Sequence, residues 1–199
     1  EIVGEVGAPM GSTTRSRSYK LRLKRLNRGL QLIDTPGILE GGTGGRSRER
    51  EARLQASKAD LMIVVVDGDL RLGETEVIKS LAELGKRLLL VLNKCDLRGE
   101  EEERRLLTLL KSHCAELINP EDVIPTSASP QSVPVPGGKP FQPAPEIDKL
   151  LRRLSKVLHE DGDELLANNI LIQCKNLGVK GRQLLDKQRQ KAAKTCIDR

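Results

Sequence analysis

The chain has 199 residues, with 37% hydrophobic and 31% charged side chains, a balance typical of a folded globular protein. Tyr19 and Phe141 are the only aromatic residues, which disfavours a reader of single-stranded nucleic acid, while the net charge of +6 still permits an acidic partner. The cysteines form no C-x-x-C pair and the longest apolar runs are strand-sized. We therefore expect a cytoplasmic protein without a membrane span, and the sequence does not fix its oligomeric state.

The N-terminal segment predicts a loop followed by a β-hairpin. Residues 1–17 are rich in glycine and polar side chains, but neither they nor any later segment match the phosphate-binding pattern G-x-x-x-x-G-K-[ST]. Apolar and charged residues alternate from Tyr19 to Leu26, a turn follows at 27–29, and a second strand runs from Leu30 to Ile33. This hairpin leads directly into Asp34-Thr35-Pro36-Gly37.

From there to residue 129 the pattern alternates between helix and strand. Strands are predicted at Leu61–Val66, Arg87–Leu92 and 123–125, and the continuous apolar run of the first indicates burial on both faces. The glycine-rich residues 41–45 are either a plain linker or a switch that a ligand orders. Helices are predicted at 46–58, 74–84 and 100–117. The sequence therefore predicts an α/β fold with a doubly wound, mainly parallel sheet.

The C-terminal part has a different composition. Residues 130–145 contain six prolines, which predicts an extended, semi-rigid linker. Apolar residues recur at steps of three and four from Ile147 onward and predict a helical appendage. We accordingly divide the chain into a main α/β domain at 1–129, a linker at 130–145 and a helical part at 146–199.

Three predicted strand ends carry chemically useful groups. Asp34-Thr35-Pro36-Gly37, Asn93-Lys94-Cys95-Asp96 and Ser127-Ala128-Ser129 each follow a strand, and such ends share one edge in a doubly wound sheet. Alone, Asp-Thr-Pro-Gly is equally a simple proline turn. In this setting, Asp34 can hold Mg²⁺ through water, and the N–H of Gly37 can approach a terminal phosphate.

The second and third ends suit a guanine base. The carboxylate of Asp96 can accept from the guanine N1–H and the exocyclic amine, whereas adenine has no donor at N1. Asn93 can fix the loop, the stem of Lys94 can lie over the purine, and the N–H of Ala128 can serve the guanine carbonyl.

The chain here resembles the translation-factor-type GTPases of the Era and TrmE branch, over about residues 1–129. The resemblance is carried by Ser12-Thr13-Thr14-Arg15 and by the three strand-end motifs. It implies that Thr14, or Thr13 if the register differs by one, meets Mg²⁺ and the γ-phosphate. It further implies that Asp34 binds Mg²⁺, that Gly37 senses the γ-phosphate, and that guanine is read by Asn93, Lys94, Asp96, Ser127 and Ala128.

The sequence departs from this family at two places. The phosphate-binding loop is missing, so the resemblance implies that it lies upstream of Glu1. Ile38 stands where Ras-like proteins have a glutamine that orients water, so hydrolysis would depend on a monovalent cation, on dimerisation or on a partner.

We therefore expect a GTP-binding protein that hydrolyses GTP to GDP with Mg²⁺ as a molecular switch. The alternative is a catalytically inactive, GTPase-like interaction module that presents its helices to a partner. The C-terminal residues are similar to those of Era-like GTPases with a C-terminal domain of unknown function, which implies a protein or membrane-surface partner for these helices.

Overall fold

The protein has an α/β fold, and the strands of its described residues form a two-stranded and a three-stranded sheet. The structure is a computed structural model that describes residues 16–22, 29–35 and 45–197. Its strands are β1 (Arg17–Arg22), β2 (Gly29–Asp34), β3 (Leu61–Val66), β4 (Arg87–Leu92) and β5 (Val123–Pro125). Its helices are α1 (Gly45–Lys58), α2 (Leu72–Ala82), α3 (Glu100–His113), α4 (Asp148–Glu160) and α5 (Gly162–Ile197).

β1 and β2 form the predicted hairpin. They pair antiparallel, from Arg17 opposite Asp34 to Arg22 opposite Gly29, so that Asp34 lies at the C-terminal end of β2. Of the predicted turn at 27–29, residues 27 and 28 lie outside the described residues, and Gly29 begins β2.

The second sheet is parallel and has the order β3-β4-β5. Helices α2 and α3 connect its strands, as parallel neighbours require a crossover. β4 lies in the middle, and its residues Leu88 to Leu92 are all buried. One face of the sheet packs against α2 and α3, where Ile78, Leu81 and Leu110 join the core. The predicted class, α/β with a parallel sheet, is confirmed.

β3 differs from its prediction. The sequence indicated burial on both faces, but Val65 is 60% exposed. The reason is that, among the described strands, β3 pairs with β4 alone and lies at the edge of the sheet. Within the described ranges, no ladder joins β2 to the parallel sheet either. A continuous apolar run indicates that a strand can be buried, but the strands and helices packed beside it determine whether it is buried.

The proline-rich segment also differs in shape from the extended linker that was predicted. Ser127 and Glu146 pair through two backbone hydrogen bonds, 3.0 Å from Ser127 N to Glu146 O and 2.9 Å in return. A second pair joins Val133 to Phe141. The segment therefore turns back on itself, because tertiary pairing outweighs the extended preference of proline. The division of the chain into domains remains a prediction.

Helices α4 and α5 follow this segment at the opposite end of β4. α4 packs against β5 and buries Val157, which is 1% exposed. α5 is 36 residues long and contacts both α1 and α4. Among the described helices, none combines the length and apolar character needed to cross a bilayer.

Candidate functional site

The loops that follow β4 and β5 lie side by side at the C-terminal edge of the parallel sheet. The backbone N–H of Asn93 donates to the carbonyl of Val66, at 2.8 Å, and that of Cys95 donates to the carbonyl of Thr126, at 3.1 Å. These bonds extend the ladders beyond the strands. Because neighbouring parallel strands end at the same edge, two motifs more than thirty residues apart in sequence meet there.

The side chain of Asn93 joins the two loops. Its Oδ1 accepts from Thr126 Oγ1 at 3.2 Å and from the N–H of Ala128 at 3.1 Å. From the sequence, Asn93 is expected to fix the loop and the N–H of Ala128 to serve a guanine carbonyl. In the structure, that N–H donates to Asn93, so one short amide side chain sets the spacing between the loops.

Asp96 lies at the junction of the two loops. Its backbone N–H donates to Ser127 Oγ at 3.0 Å, and its carboxylate Oδ2 accepts from the N–H of Gln131 at 3.1 Å. Asp96 also lines an open pocket of about 410 Å³, together with Leu97 and residues of the proline-rich segment. An exposed carboxylate at the wall of a pocket is suited to bind hydrogen-bond donors of a ligand.

Lys94 occupies a left-handed backbone conformation, with φ of 61° and ψ of 36°. Such a conformation costs a non-glycine residue about 1 kcal/mol, and surrounding contacts must compensate. The guanidinium of Arg98 donates to the carbonyl of Lys94 at 2.9 Å and also to the carbonyl of Asp67. Arg98 thus holds the Lys94 turn against the end of β3.

The side chain of Lys94 pairs with Asp67. Its Nζ lies 2.8 Å from Asp67 Oδ2, and this hydrogen bond lowers the pKa of Asp67 below its usual value. Both side chains are more than half exposed. The pair therefore places the lysine stem beside the loop while leaving its length accessible to a ligand.

Cys95, between Lys94 and Asp96, is a packing residue. It is 8% exposed, its thiol donates to the carbonyl of Leu92, and burial raises its pKa. A thiol of this kind is a poor nucleophile, because the reactive form is the thiolate.

The structure brings together five of the predicted site residues, namely Asn93, Lys94, Asp96, Ser127 and Ala128. Asp34 ends β2 in the other sheet, where it is exposed. The expectation that all three strand ends lie on one sheet edge therefore holds for two of them. Thr14, its alternative Thr13, Gly37 and Ile38 lie outside the described residues.

Sequence reasoning missed three residues of this site, and only one had a signal. Asp67 directly follows β3, so the same strand-end rule that selected Asn93 also points to it. Arg98 and Gln131 have no local pattern that marks them. They reach the site through contacts that depend on the path of the chain.

The sequence of the chain can be compared with those of known proteins. Residues 2–94 match the family model described as 50S ribosome-binding GTPase. Over residues 2–94, the chain is similar to GTPase-family domains. GTPase Der of Xanthomonas oryzae pv. oryzae is 32% identical over 163 residues, which cover 78% of this chain and 30% of Der.

Shorter matches name other G proteins. Developmentally-regulated G-protein 2 of Arabidopsis thaliana is 37% identical over 60 residues, or 30% of this chain and 15% of the relative. Developmentally-regulated GTP-binding protein 2 homolog of Dictyostelium discoideum is 45% identical over 40 residues, or 20% of this chain and 11% of the relative. The matched segments thus span less than a third of each relative, and guanine-nucleotide binding is the property that the family implies.

Proposed function

We propose that the protein binds GTP and hydrolyses it slowly to GDP, acting as an Era-like molecular switch. The observation that supports this best is the contact between the loops after β4 and β5, in which Asn93 Oδ1 accepts hydrogen bonds from Thr126 and Ala128. This contact holds the two loops together, and Asp96 and Ser127, one from each loop, line the same pocket.

Recognition of guanine would depend chiefly on Asp96. A carboxylate accepts hydrogen bonds and donates none, so it pairs with N1–H and the exocyclic amine of guanine. Against adenine it would face an acceptor at N1 and leave a charge without a partner. The stem of Lys94 would lie over the base. Ser127 would help to hold Asp96 by accepting from its backbone N–H.

The phosphate end of the site is proposed from the family pattern. Asp34 has the hard oxygen ligands that suit Mg²⁺, and we propose that Thr14 joins it, with Gly37 meeting the γ-phosphate. With Ile38 in place of a glutamine, activation of water would require a cation, a second copy or a partner's residue.

Comparative nucleotide binding by the full-length gene product tests the proposal. We expect GTP and GDP to bind at least roughly a hundredfold more tightly than ATP, because a site that hydrogen-bonds a polar edge rejects ligands lacking it. Asp96→Ala should abolish most of that preference. Glu101→Ala, which removes an exposed carboxylate from α3, is the matched control and should change nothing.

Two results would contradict the proposal. Equal affinity for GTP and ATP would rule out guanine recognition by Asp96. Binding that is specific for guanine but unaffected by Asp96→Ala would show that another part of the protein reads the base.

A second candidate is a catalytically inactive module that presents its helices to a partner. The firm attachment of α5 favours this reading, since Asn169 is 5% exposed and bonds to Lys86 and Asp60. Hydrolysis separates the candidates. Release of phosphate from GTP that depends on Mg²⁺ and on Asp34 supports the enzyme, whereas tight GTP binding without turnover supports the module.

We further propose that the distal half of α5 meets the partner. Leu177 and Leu184 are 67% and 63% exposed and lie seven residues apart on one face. Lys180 and Lys187, also seven residues apart, flank this face on one side, whereas Lys175, Arg182 and Arg189 lie toward the opposite side of the helix. A basic row beside an exposed apolar face suits an acidic protein or an anionic membrane surface met from the cytoplasm.

Flotation with vesicles tests this surface. Vesicles containing anionic phospholipid should bind the full-length protein, and neutral vesicles should not. Leu177→Asp should reduce binding, while Val179→Asp, at an exposed apolar residue on the opposite side of the helix, is its control. Absence of vesicle binding at low salt would favour the protein partner.

A further inference from the structure

Residues 127–146 form a closed flap beside Asp96. The paired Ser127 and Glu146 close its base, and the Val133–Phe141 pair adds a second rung, with bonds of 2.8 and 2.9 Å. The flap contains six prolines, each of which fixes a backbone angle. Backbone hydrogen bonds between its two arms and the restricted backbone angles of its prolines therefore determine the shape of the flap.

One peptide group of the flap is bound on both of its sides. The N–H of Gln131 donates to Asp96 Oδ2 at 3.1 Å, and the carbonyl of Pro130 accepts from Gln142 Nε2 at 2.7 Å. These two groups belong to the same peptide unit. Because that unit is planar, a bond that fixes its carbonyl also fixes the direction of its N–H.

We infer that Gln142, acting through the Pro130–Gln131 peptide, positions the Asp96 carboxylate for base recognition. This inference rests on the proposed function. Pro130 is buried, so the peptide begins in a protected environment, whereas Gln142 reaches it from the other arm of the flap. Gln142 does not touch the ligand in this scheme. It is a positioning residue that acts across the flap.

The contact orients the carboxylate without blocking it. An ionised carboxylate offers about four acceptor sites, and Gln131 uses one of them on Oδ2. Within the part of the chain that the structure describes, Oδ1 has no hydrogen-bond partner. The two donors of guanine can therefore still be accepted. A carboxylate already held in its binding orientation loses less freedom when the base arrives.

The bonds in this chain also reinforce each other. A peptide whose carbonyl accepts a hydrogen bond becomes a stronger donor at its N–H. Removing the Gln142 amide should therefore weaken the Gln131–Asp96 bond even though Gln131 is unchanged.

Nucleotide binding by variants of the full-length gene product tests this inference. Gln142→Met keeps the side-chain length but removes the donor, and Gln131→Pro removes the N–H itself. We expect GDP affinity to fall roughly tenfold in Gln131→Pro and several-fold in Gln142→Met, as the loss of a bond to a charged group predicts. ADP binding should not change, so GDP-over-ADP selectivity should fall equally.

Two matched controls separate this role from a general loosening of the flap. Gln131→Ala changes the side chain but keeps the N–H, and Lys139→Ala changes the tip of the flap. Both should bind GDP as the unchanged protein does. Hydrogen exchange of residues 127–146 reports flap order independently, and if Gln131→Pro does not fold, Gln142→Met carries the test.

Each outcome has a definite reading. If the flap loosens in Gln142→Met while GDP-over-ADP selectivity stays the same, the contact is structural and this inference alone is overturned. Tighter GDP binding by either variant would show that the flap competes for Asp96, which also overturns it. If the unchanged protein binds no GDP, the proposed function fails and the inference fails with it.

Discussion

The polar side chains at the two ends of β4 differ in their exposure to solvent and in the number of their hydrogen-bond partners. At its N-terminal end, Lys86 is 8% exposed and its Nζ donates to the carbonyls of Ala56, Ser57 and Ala59 and to Asn169 Oδ1. At the C-terminal end, Lys94 is 55% exposed and pairs with one carboxylate among the residues that the structure describes. One lysine is surrounded by acceptors and the other is open to solvent.

The carboxylates repeat the contrast. Asp122 is 2% exposed and accepts from Arg87 and Arg153, which ties β4 to α4. Asp96, at the other end, is exposed and accepts from one backbone N–H. Buried polar groups with complete pairing hold elements together, whereas exposed groups with spare capacity can bind a ligand. We therefore regard the first end as a structural joint and the second as the binding edge.

Lys86→Met should have the largest effect on this comparison. The substitution leaves four oxygen acceptors without their buried donor and should lower the free energy of unfolding by about 3 kcal/mol. The measurement is the midpoint of urea unfolding at unchanged slope. Lys79→Met, which removes an exposed lysine from α2, is the control. Equal midpoints for the two variants would mean that the hydrogen bonds of Lys86 do not stabilise the N-terminal end of β4.

Asp122→Ala should have the next largest effect. Arg87 and Arg153 lose a shared buried partner but keep Asp161 and Glu121, so we expect a loss of about 2 kcal/mol rather than the full value for a broken buried pair. Hydrogen exchange should become faster in α4. Glu121→Ala removes only the exposed partner of Arg153, and a loss as large as that of Asp122→Ala would contradict the comparison.

Asn93→Ala sharpens the comparison from the binding edge. It removes two hydrogen bonds at a partly exposed position and should cost only about 1 kcal/mol of stability. Hydrogen exchange should increase at residues 126–128, next to the lost contacts, and stay unchanged in α4. A loss of stability equal to that of Lys86→Met would show that this edge is also a structural joint.

Asp67→Asn should have the smallest effect. The hydrogen bond from Lys94 lowers the pKa of Asp67, so its contribution to stability is present above the unfolded pKa of 3.8 and disappears as the pH falls through the folded value. Because both partners are exposed, that contribution should stay below about 1 kcal/mol at neutral pH. Thermal unfolding of both proteins from pH 7 to 2 checks this, and a difference that grew toward low pH would have the wrong sign.

Much of the fold was readable in the residues. The bounds of β4 and β5 agree with the prediction, and those of β2 and α1 agree to within one residue at each end, because apolar runs and turn residues are local signals. α3 ends at His113, earlier than the predicted residue 117, as expected for helix ends that depend on tertiary contacts. The proline-rich segment was misjudged in shape, since proline restricts each residue but does not determine whether two distant residues pair.

The candidate site was readable in part. Asn93, Lys94 and Asp96 form a short local motif, and the strand-end rule placed Ser127 and Ala128 beside them. Gln131 and Gln142 carry no such mark, because an ordinary glutamine in a loop gains its role only when the chain folds back. The reverse holds for Asp34. Its motif can be recognised in the sequence, but the sequence does not show to which sheet its strand belongs.

The sequence by itself determined the order of helices and strands and the motif that follows β4, because both depend on residues close together in the chain. Only the tertiary structure decided which polar groups are buried and which face solvent. Lys86 and Asn169 lie 83 residues apart, and nothing near either one distinguishes it from a surface residue. Burial depends on what packs above a side chain, and that is a property of the whole fold.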